Sequence, residues 1–419
     1  MNGHTGSSRT TDMEATREVP VNAPFVVDLD RDLLGGTLGA EMFWSTLGKD
    51  PLTLMTPKRL PPAARGLPLD PAVVAAMEAA HEAGRPVILT DSGHPGLASG
   101  VATRLDCIDA VEPGTAPPVT LPQAPRDTPR ALIKQLRPHQ WTKNALILLP
   151  LLADHAFRPE AVVQTLFAFV AMCLIASGVY VLNDLADLDN DRVHRTKRER
   201  PFASGRLSLR FGGPMLVVLL VAGFAVGGLV SPALIVVLAV YFVMTTAYSM
   251  KLKGLVAVDI LVLSMLYAVR VIAGATAIQV DLSVWLLTFT IFMFFSLASV
   301  KRLSELVDLE ARDGPKAAAG RAYSIGDLPI IANIATASGF IAVLVLALYL
   351  DTPEVRAMYS EPWALWGVCL VLLFWVSRIV LLAHRGEVHE DPVVFALRDR
   401  TSRVVVLLVT VLFATAVLA

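Results

Sequence analysis

The chain has 419 residues, 54% of them hydrophobic and 17% charged, and a formal net charge of −1. The near-zero net charge conceals an uneven distribution; no nucleic-acid partner is expected, and the long apolar stretches exclude a wholly soluble protein. Its cysteines, Cys107, Cys173 and Cys369, are far apart with no CxxC pair, so neither a zinc site nor a disulfide framework is expected.

Residues 1–20, rich in Ser, Thr and Gly, read as a disordered tail. Residues 21–110 read as a small α/β segment: VVDLD is a buried strand delivering aspartates to a loop, PAVVAAMEAAHEAG a helix, and RPVILTDSG a second strand. Residues 111–130, with six prolines, read as a linker. The run Asp28-Leu29-Asp30-Arg31-Asp32 resembles the first motif, DxDGT, of the haloacid-dehalogenase-like phosphatases, and Thr90 or Ser92 would supply their second motif. The motif's Gly and Thr are absent, and Arg31 puts a long side chain beside the nucleophile position. The linker begins before a third-motif lysine or a fourth-motif acidic pair can follow. The resemblance therefore implies a degenerate, inactive remnant, the alternative being residual phosphatase chemistry completed by another chain.

Residues 131–419 hold nine candidate membrane spans, at about 141–157, 161–185, 213–231, 232–250, 255–278, 282–300, 328–350, 361–383 and 402–419. The fold class expected is thus an all-α polytopic membrane protein with a small α/β remnant at its N-terminus. Lys and Arg alternate between loops. Seven fall between Arg192 and Arg210; Lys251 and Lys253 follow the fourth span, Lys301 and Arg302 the sixth, and Arg385, Arg398, Arg400 and Arg403 the eighth. The opposite loops carry only Arg158 and Arg356. This asymmetry puts the N-terminus and the charged loops in the cytoplasm and the C-terminus outside. No N-terminal stretch has the apolar core of a secretory signal, so the first span is expected to direct insertion.

The run NDLADLDND begins where the second span ends, and carboxylates at such an edge are costly without a cation, partner or substrate. Asn183, Asp187 and Asp191 are spaced i, i+4, i+8 and would share a helix face, with Asp184 beside Asn183 and Asp189 off that face. Hard carboxylate oxygens suit Mg²⁺ or Mn²⁺. The basic run that follows offers phosphate-gripping groups, among which Arg192, Lys197 and Arg200 are the expected site residues. A solvated acidic helix end balancing a basic loop is the plainer alternative. HRGEVHEDPVVFALRDR, before the last span, reads as ordinary ion pairing, with Asp391-Pro392 a turn before a short helix.

At these residues the chain resembles the UbiA-type intramembrane prenyltransferases, whose first motif, NDxxDxxxD, it matches. YSMKLKGLVAVDILVLSMLYAVRVIAGA is similar to the family's second motif, YSxxLKxxxxxD…RxxAG, through Tyr248, Lys251, Lys253, Asp259 and Arg270. Arg137-Pro138-His139-Gln140-Trp141-Thr142-Lys143-Asn144 resembles the RPxQWxKN opening of the decaprenyl-phosphate phosphoribosyltransferase-like branch, some of whose members are fused to a dehalogenase-like domain, and KRLSEL at Lys301 resembles its KRYxEL. The resemblance implies a helical bundle with a cytoplasmic site. Its catalytic residues would be Asp187, Asp191 and Asp259, and its metal ligands Asn183, Asp184, Asp187, Asp191 and Asp259. Arg137, Lys143, Asn144, Arg192, Lys197, Arg200, Tyr248, Lys253, Arg270 and Lys301 would bind substrate.

One departure bears on the donor. Leu263 stands where aromatic prenyltransferases of the family carry a second aspartate, and fewer carboxylates with more cations suit a phosphate-rich donor such as phosphoribosyl pyrophosphate. The expected reaction passes phosphoribose to a polyprenyl phosphate with loss of diphosphate; prenyl transfer to an aromatic or lipid acceptor is the alternative. Both use an isoprenoid lipid, a diphosphate-bearing donor and the bilayer. A transporter would place its ionisable groups near the midplane on broken helices rather than at one membrane face.

Overall fold

The computed structural model describes residues 23–49, 64–117, 121, 124, 127–154, 157–194, 196–311, 322–361, 363–389 and 391–418. The tail expected at 1–20 and Arg195 lie outside them. Two compact units divide the chain: residues up to Ala131 with Asp184–Phe211, and Leu132–Asn183 with Gly212–Ala419.

In the first unit β1 (Phe25–Asp28) pairs in parallel with β2 (Val87–Thr90), Asp28 opposite Thr90. Helices α1 (Leu38–Lys49) and α2 (Pro71–Glu82) lie between them in sequence. Asp70 starts α2 by accepting the Ala72 N–H ahead of Pro71, whose missing N–H costs nothing at that position. After β2 come α3 (Pro95–Ala102) and β3 (Ala110–Glu112), which extends the parallel sheet in the order β1-β2-β3. Residues 111 and 112, expected in the linker, are therefore strand. Three residues before Pro113, which cannot donate to a ladder, are too few to show a strand period. Val27, Leu29, Leu33, Val73, Met77, Val87, Leu89 and Val101 fill the core.

α4 (Pro129–Leu136) precedes the membrane domain. The first expected span, 141–157, is not one α-helix. A 3₁₀ run covers Pro138–Leu148 and a five-residue helix, α5, covers Leu149–Ala153. Arg137 turns into the run with φ +53°, and Pro138 and Pro150 lack the N–H groups that a continuous helix would use. At the tighter 3₁₀ rise the two pieces still extend about 30 Å. Gly274 lets this segment come close to α10, since a Cβ there would stand 2.1 Å from the Ile147 carbonyl oxygen.

The second to eighth expected spans form helices long and apolar enough to cross a membrane: α6 (Pro159–Ala186), α8 (Gly212–Val230), α9 (Pro232–Met250), α10 (Val258–Ile278), α11 (Val284–Glu310), α12 (Leu328–Leu350) and α14 (Trp363–His384). Between α6 and α8 lies the short α7 (Leu188–Val193). Short helices α13 (Pro353–Met358) and α15 (Pro392–Arg398) precede α14 and α16, and the ninth expected span forms α16 (Arg400–Leu418). Ser231 separates α8 from α9 by capping the Leu234 N–H, with Pro232 as first helical residue. Helix α10 is enclosed on nearly all sides, whereas α8 and α9 turn Val217, Val221, Leu229, Val236 and Val243 outward, as lipid-facing helices do.

Candidate active site

The first acidic motif lies in the first unit from Asp184 onward. The expected single helical face is interrupted. α6 ends at Ala186, Asp187 adopts a non-helical cap conformation, and α7 begins at Leu188. The break turns Asp191 toward Asp184, so that Arg200 Nη1 donates to Asp184 Oδ1 (3.0 Å) and also to Asp191 Oδ2. Both carboxylates are buried. Burial pushes the Asp191 carboxyl up to about 6; Arg200 opposes the shift and the neighbouring Asp184 adds to it. Lys197 is exposed.

Arg192, expected at the phosphates, is placed elsewhere. Its two terminal nitrogens donate to Glu41 on α1 at 2.8 and 2.7 Å, both side chains almost fully buried. Asp189 accepts from the Ser45 hydroxyl (2.7 Å) and lies 3.3 Å from the Lys49 ammonium.

In the same unit, Asp28 Oδ1 accepts the Asp30 and Arg31 N–H groups and the Ser92 hydroxyl, and Oδ2 accepts the Thr90 hydroxyl and the Ala116 N–H. Burial would raise its pKa, but these bonds bring it below the ordinary value. The Arg31 guanidinium lies over this turn, donating to Asp32 and to the Ala116 and Pro117 carbonyls.

The second unit holds three polar clusters. Asp259, in the first turn of α10, is fully buried with Oδ2 2.8 Å from Arg302 Nε. Its Oδ1 accepts the Tyr323 hydroxyl at 2.6 Å, and Tyr323 in turn accepts the Ala257 N–H. Ala257 has φ +62°, a conformation costly for a residue with a Cβ, so the entry to α10 is strained beside the motif carboxylate. Arg302 also donates to Tyr248 and pairs with Glu305. Arg302 is thus the ion-pair partner of Asp259.

Arg270 lies deeper along α10. It donates to Asn144 Oδ1 (2.8 Å), the Tyr241 hydroxyl (3.0 Å) and the Leu266 carbonyl (2.5 Å), beneath the Tyr241 and Tyr267 rings. No carboxylate pairs with it among the described residues. In the third cluster Lys143 and Lys301 meet at Asp391, whose Oδ2 lies 2.8 and 3.3 Å from their ammonium groups. Burial opposes ionisation of Asp391, but Lys301 and Lys143 outweigh it and hold the carboxyl at about 2. Arg137 lies over the Tyr180 ring, and Lys253 is half-buried in the turn before α10. Sequence reasoning missed Glu41, Tyr241 and Tyr323, counted Arg302 among the cations suited to a phosphate-rich donor without naming it a site residue, and read Asp391 as a turn in ordinary ion pairing.

Among the described residues no three His, Cys, Asp or Glu side chains converge to hold a metal by themselves. Asp184 and Asp191 do converge on one guanidinium. Mg²⁺ commonly binds through one or two carboxylates plus waters and substrate phosphates, so this donor set fits such an ion.

These elements define a polytopic helical membrane protein with acidic and cationic polar clusters. A sequence model of the UbiA prenyltransferase family matches residues 146–398. The chain belongs to that family and is an integral membrane protein. It is 39% identical to the uncharacterized protein y4nM of Sinorhizobium fredii, over 64% of this chain and 52% of that one. The chain thus spans about half the length of that relative. It is 38% identical to nodulation protein NoeC of Azorhizobium caulinodans (65% and 88%) and 29% identical to the decaprenyl-phosphate phosphoribosyltransferase of Mycolicibacterium smegmatis (68% and 91%). A UbiA homologue from Archaeoglobus fulgidus bound to GPP and Mg²⁺ shares the fold, with TM-score 0.50 and 12% identity over 68% of this chain and 99% of that one.

Proposed function

We propose that the protein transfers 5-phosphoribose from phosphoribosyl pyrophosphate to a polyprenyl phosphate, releasing diphosphate. The observation that carries this reading is the supply of cations in the second unit. Among the described residues Arg270 is buried with neutral partners only, and Lys143 and Lys301 share one carboxylate. A buried guanidinium without a counter-charge is costly, and a substrate phosphate offsets that cost. Leu263 in place of a second aspartate points the same way, as does the named phosphoribosyl transfer of the Mycolicibacterium relative.

In this reading Asp184, Asp187 and Asp191, with Asn183 preceding them, would hold Mg²⁺ or Mn²⁺, which would supply positive charge to a departing diphosphate. Asp259 is a further proposed metal ligand; with four lone-pair sites it can keep Arg302 and Tyr323 while accepting another partner. Arg200 and Lys197 balance charge on the leaving diphosphate, and Lys143, Asn144, Arg270 and Lys301 orient phosphates. Arg137, Tyr248 and Lys253 complete the proposed substrate contacts. The C1–O bond to diphosphate breaks, an oxocarbenium-like C1 develops, and a polyprenyl phosphate oxygen forms the new C1–O bond. No side-chain nucleophile takes part. The N-terminus and charged loops face the cytoplasm of a prokaryotic cell and the C-terminus lies outside.

The test is incubation of purified protein with Mg²⁺, radiolabelled phosphoribosyl pyrophosphate and polyprenyl phosphates of several lengths. A labelled lipid and released diphosphate are expected. Diphosphate release only from a prenyl diphosphate with an aromatic or lipid acceptor would replace this reading with prenyl transfer.

A further inference from the structure

α1 carries Glu41, Ser45 and Lys49 at i, i+4 and i+8, one stripe along the helix, with Gly48 beside it. Each of these residues meets the segment Asp184–Phe211. Glu41 holds Arg192 through two buried hydrogen bonds, and Ser45 and Lys49 meet Asp189. A Cβ at Gly48 would stand 2.0 Å from the Ala186 carbonyl oxygen, so the helix lies against the end of α6 at a distance only glycine permits. Farther along, Asp127 accepts the Ser208 N–H (2.7 Å) and donates its own N–H to the Arg206 carbonyl (3.0 Å). Pro68 packs on Gly205, where φ is +72°. Phe202, Leu207 and Leu209 are buried.

The sheet's own polar turn has no such reach. Five donors saturate the Asp28 carboxylate, and the Arg31 guanidinium is engaged by Asp32 and the Ala116 and Pro117 carbonyls. The polar chemistry this unit directs outward from α1 goes to the acidic loop.

We propose that the N-terminal α/β unit is the support of the first acidic motif, and that Glu41 is a positioning residue which fixes α7 through Arg192 and so sets the approach of Asp191 to Asp184. The proposal rests on the reading of that motif as a metal–diphosphate site. Arg192 and Asp191 are neighbours on the single turn-and-a-half of α7, so a rigid anchor on one constrains the other. Glu41 touches neither metal nor substrate; it acts only through Arg192. Side chains that orient metal ligands from behind typically alter metal affinity by about 10–100-fold.

The test uses the full chain carrying Glu41→Gln, Gly48→Ala, or the exchange Glu41→Arg with Arg192→Glu. Each is read in three ways: amide hydrogen exchange of residues 188–194 in metal-free protein, the Mg²⁺ concentration giving half-maximal diphosphate release, and KM for the lipid acceptor. Glu41→Gln and Gly48→Ala are expected to speed exchange across α7 and raise the Mg²⁺ requirement at least tenfold, with acceptor KM unchanged. The exchanged pair is expected to restore most of both losses. A uniform fall in active protein, with exchange and Mg²⁺ requirement of the folded fraction unaltered, would overturn the proposal. So would unaltered behaviour of both single variants. If the wild-type chain releases no diphosphate, the functional reading fails, while the exchange measurement still decides whether Glu41 holds α7.

Discussion

Asp191 and Asp28 are both buried carboxylates in one unit, yet their surroundings assign them opposite fates. Asp191 shares one guanidinium with Asp184 and keeps acceptor capacity; Asp28 spends all of it on five donors. Asp187→Asn and Asp191→Asn are each expected to abolish diphosphate release, whereas Asp28→Asn lowers thermal stability but leaves the specific activity of folded protein intact. A release assay normalised to monodisperse protein checks both. Asp391 gives a pH signature. Its carboxyl is held at about 2 against an ordinary 3.8, so its pairing with Lys143 and Lys301 stabilises the folded state above pH 4 and is lost as pH falls toward 2. Thermal unfolding between pH 5 and pH 2.5 should show a steeper loss for wild type than for Asp391→Asn. The buried pair Asp259–Arg302 is costly to break from one side: Arg302→Met is expected to destabilise by about 3–5 kcal/mol, because it strands a charged carboxylate.

At the level of elements, Gly274 explains a signature glycine in steric terms. Ala is ordinarily the better helix former by about 1 kcal/mol, but here its methyl would meet the Ile147 carbonyl. Gly274→Ala is expected to lower the melting temperature in detergent and displace the 3₁₀ segment bearing Lys143 and Asn144. What could be read from the chain follows the same logic. The apolar helices were legible because twenty uncharged residues have few other uses, and NDLADLDND because acids at a membrane edge need a reason. The 3₁₀ run was not, since its composition is that of a short span and only Pro138 and Pro150 mark the difference. Asp391 looked like a helix cap, and it is one: its Oδ1 accepts the Val393 N–H. Its second oxygen answers to Lys143, 248 residues away, which no local pattern reveals. Glu41 likewise carries no sign of Arg192 in the sequence around it.

For the whole molecule, the alternation of basic loops and the grouping of Asp184–Phe211 with the N-terminal unit agree on one compartment for both. A cysteine placed at Asp281, between α10 and α11, should react with a membrane-impermeant reagent on intact cells. One at Arg385, after α14, should react only after permeabilisation. Labelling of both from outside would invert the proposed orientation.

The first unit is discontinuous in sequence: α6, a membrane helix, is inserted between its sheet and its final segment. A ribosome therefore releases β1, β2 and β3 well before Arg192 exists, and Glu41 has to wait with an unmatched charge. Completion of the first unit thereby waits on synthesis of residues 132–183, which separate its two parts. A chain in which that later segment is out of place leaves Glu41 and Ser45 of α1 without Arg192 and Asp189, the groups they hold in the finished unit.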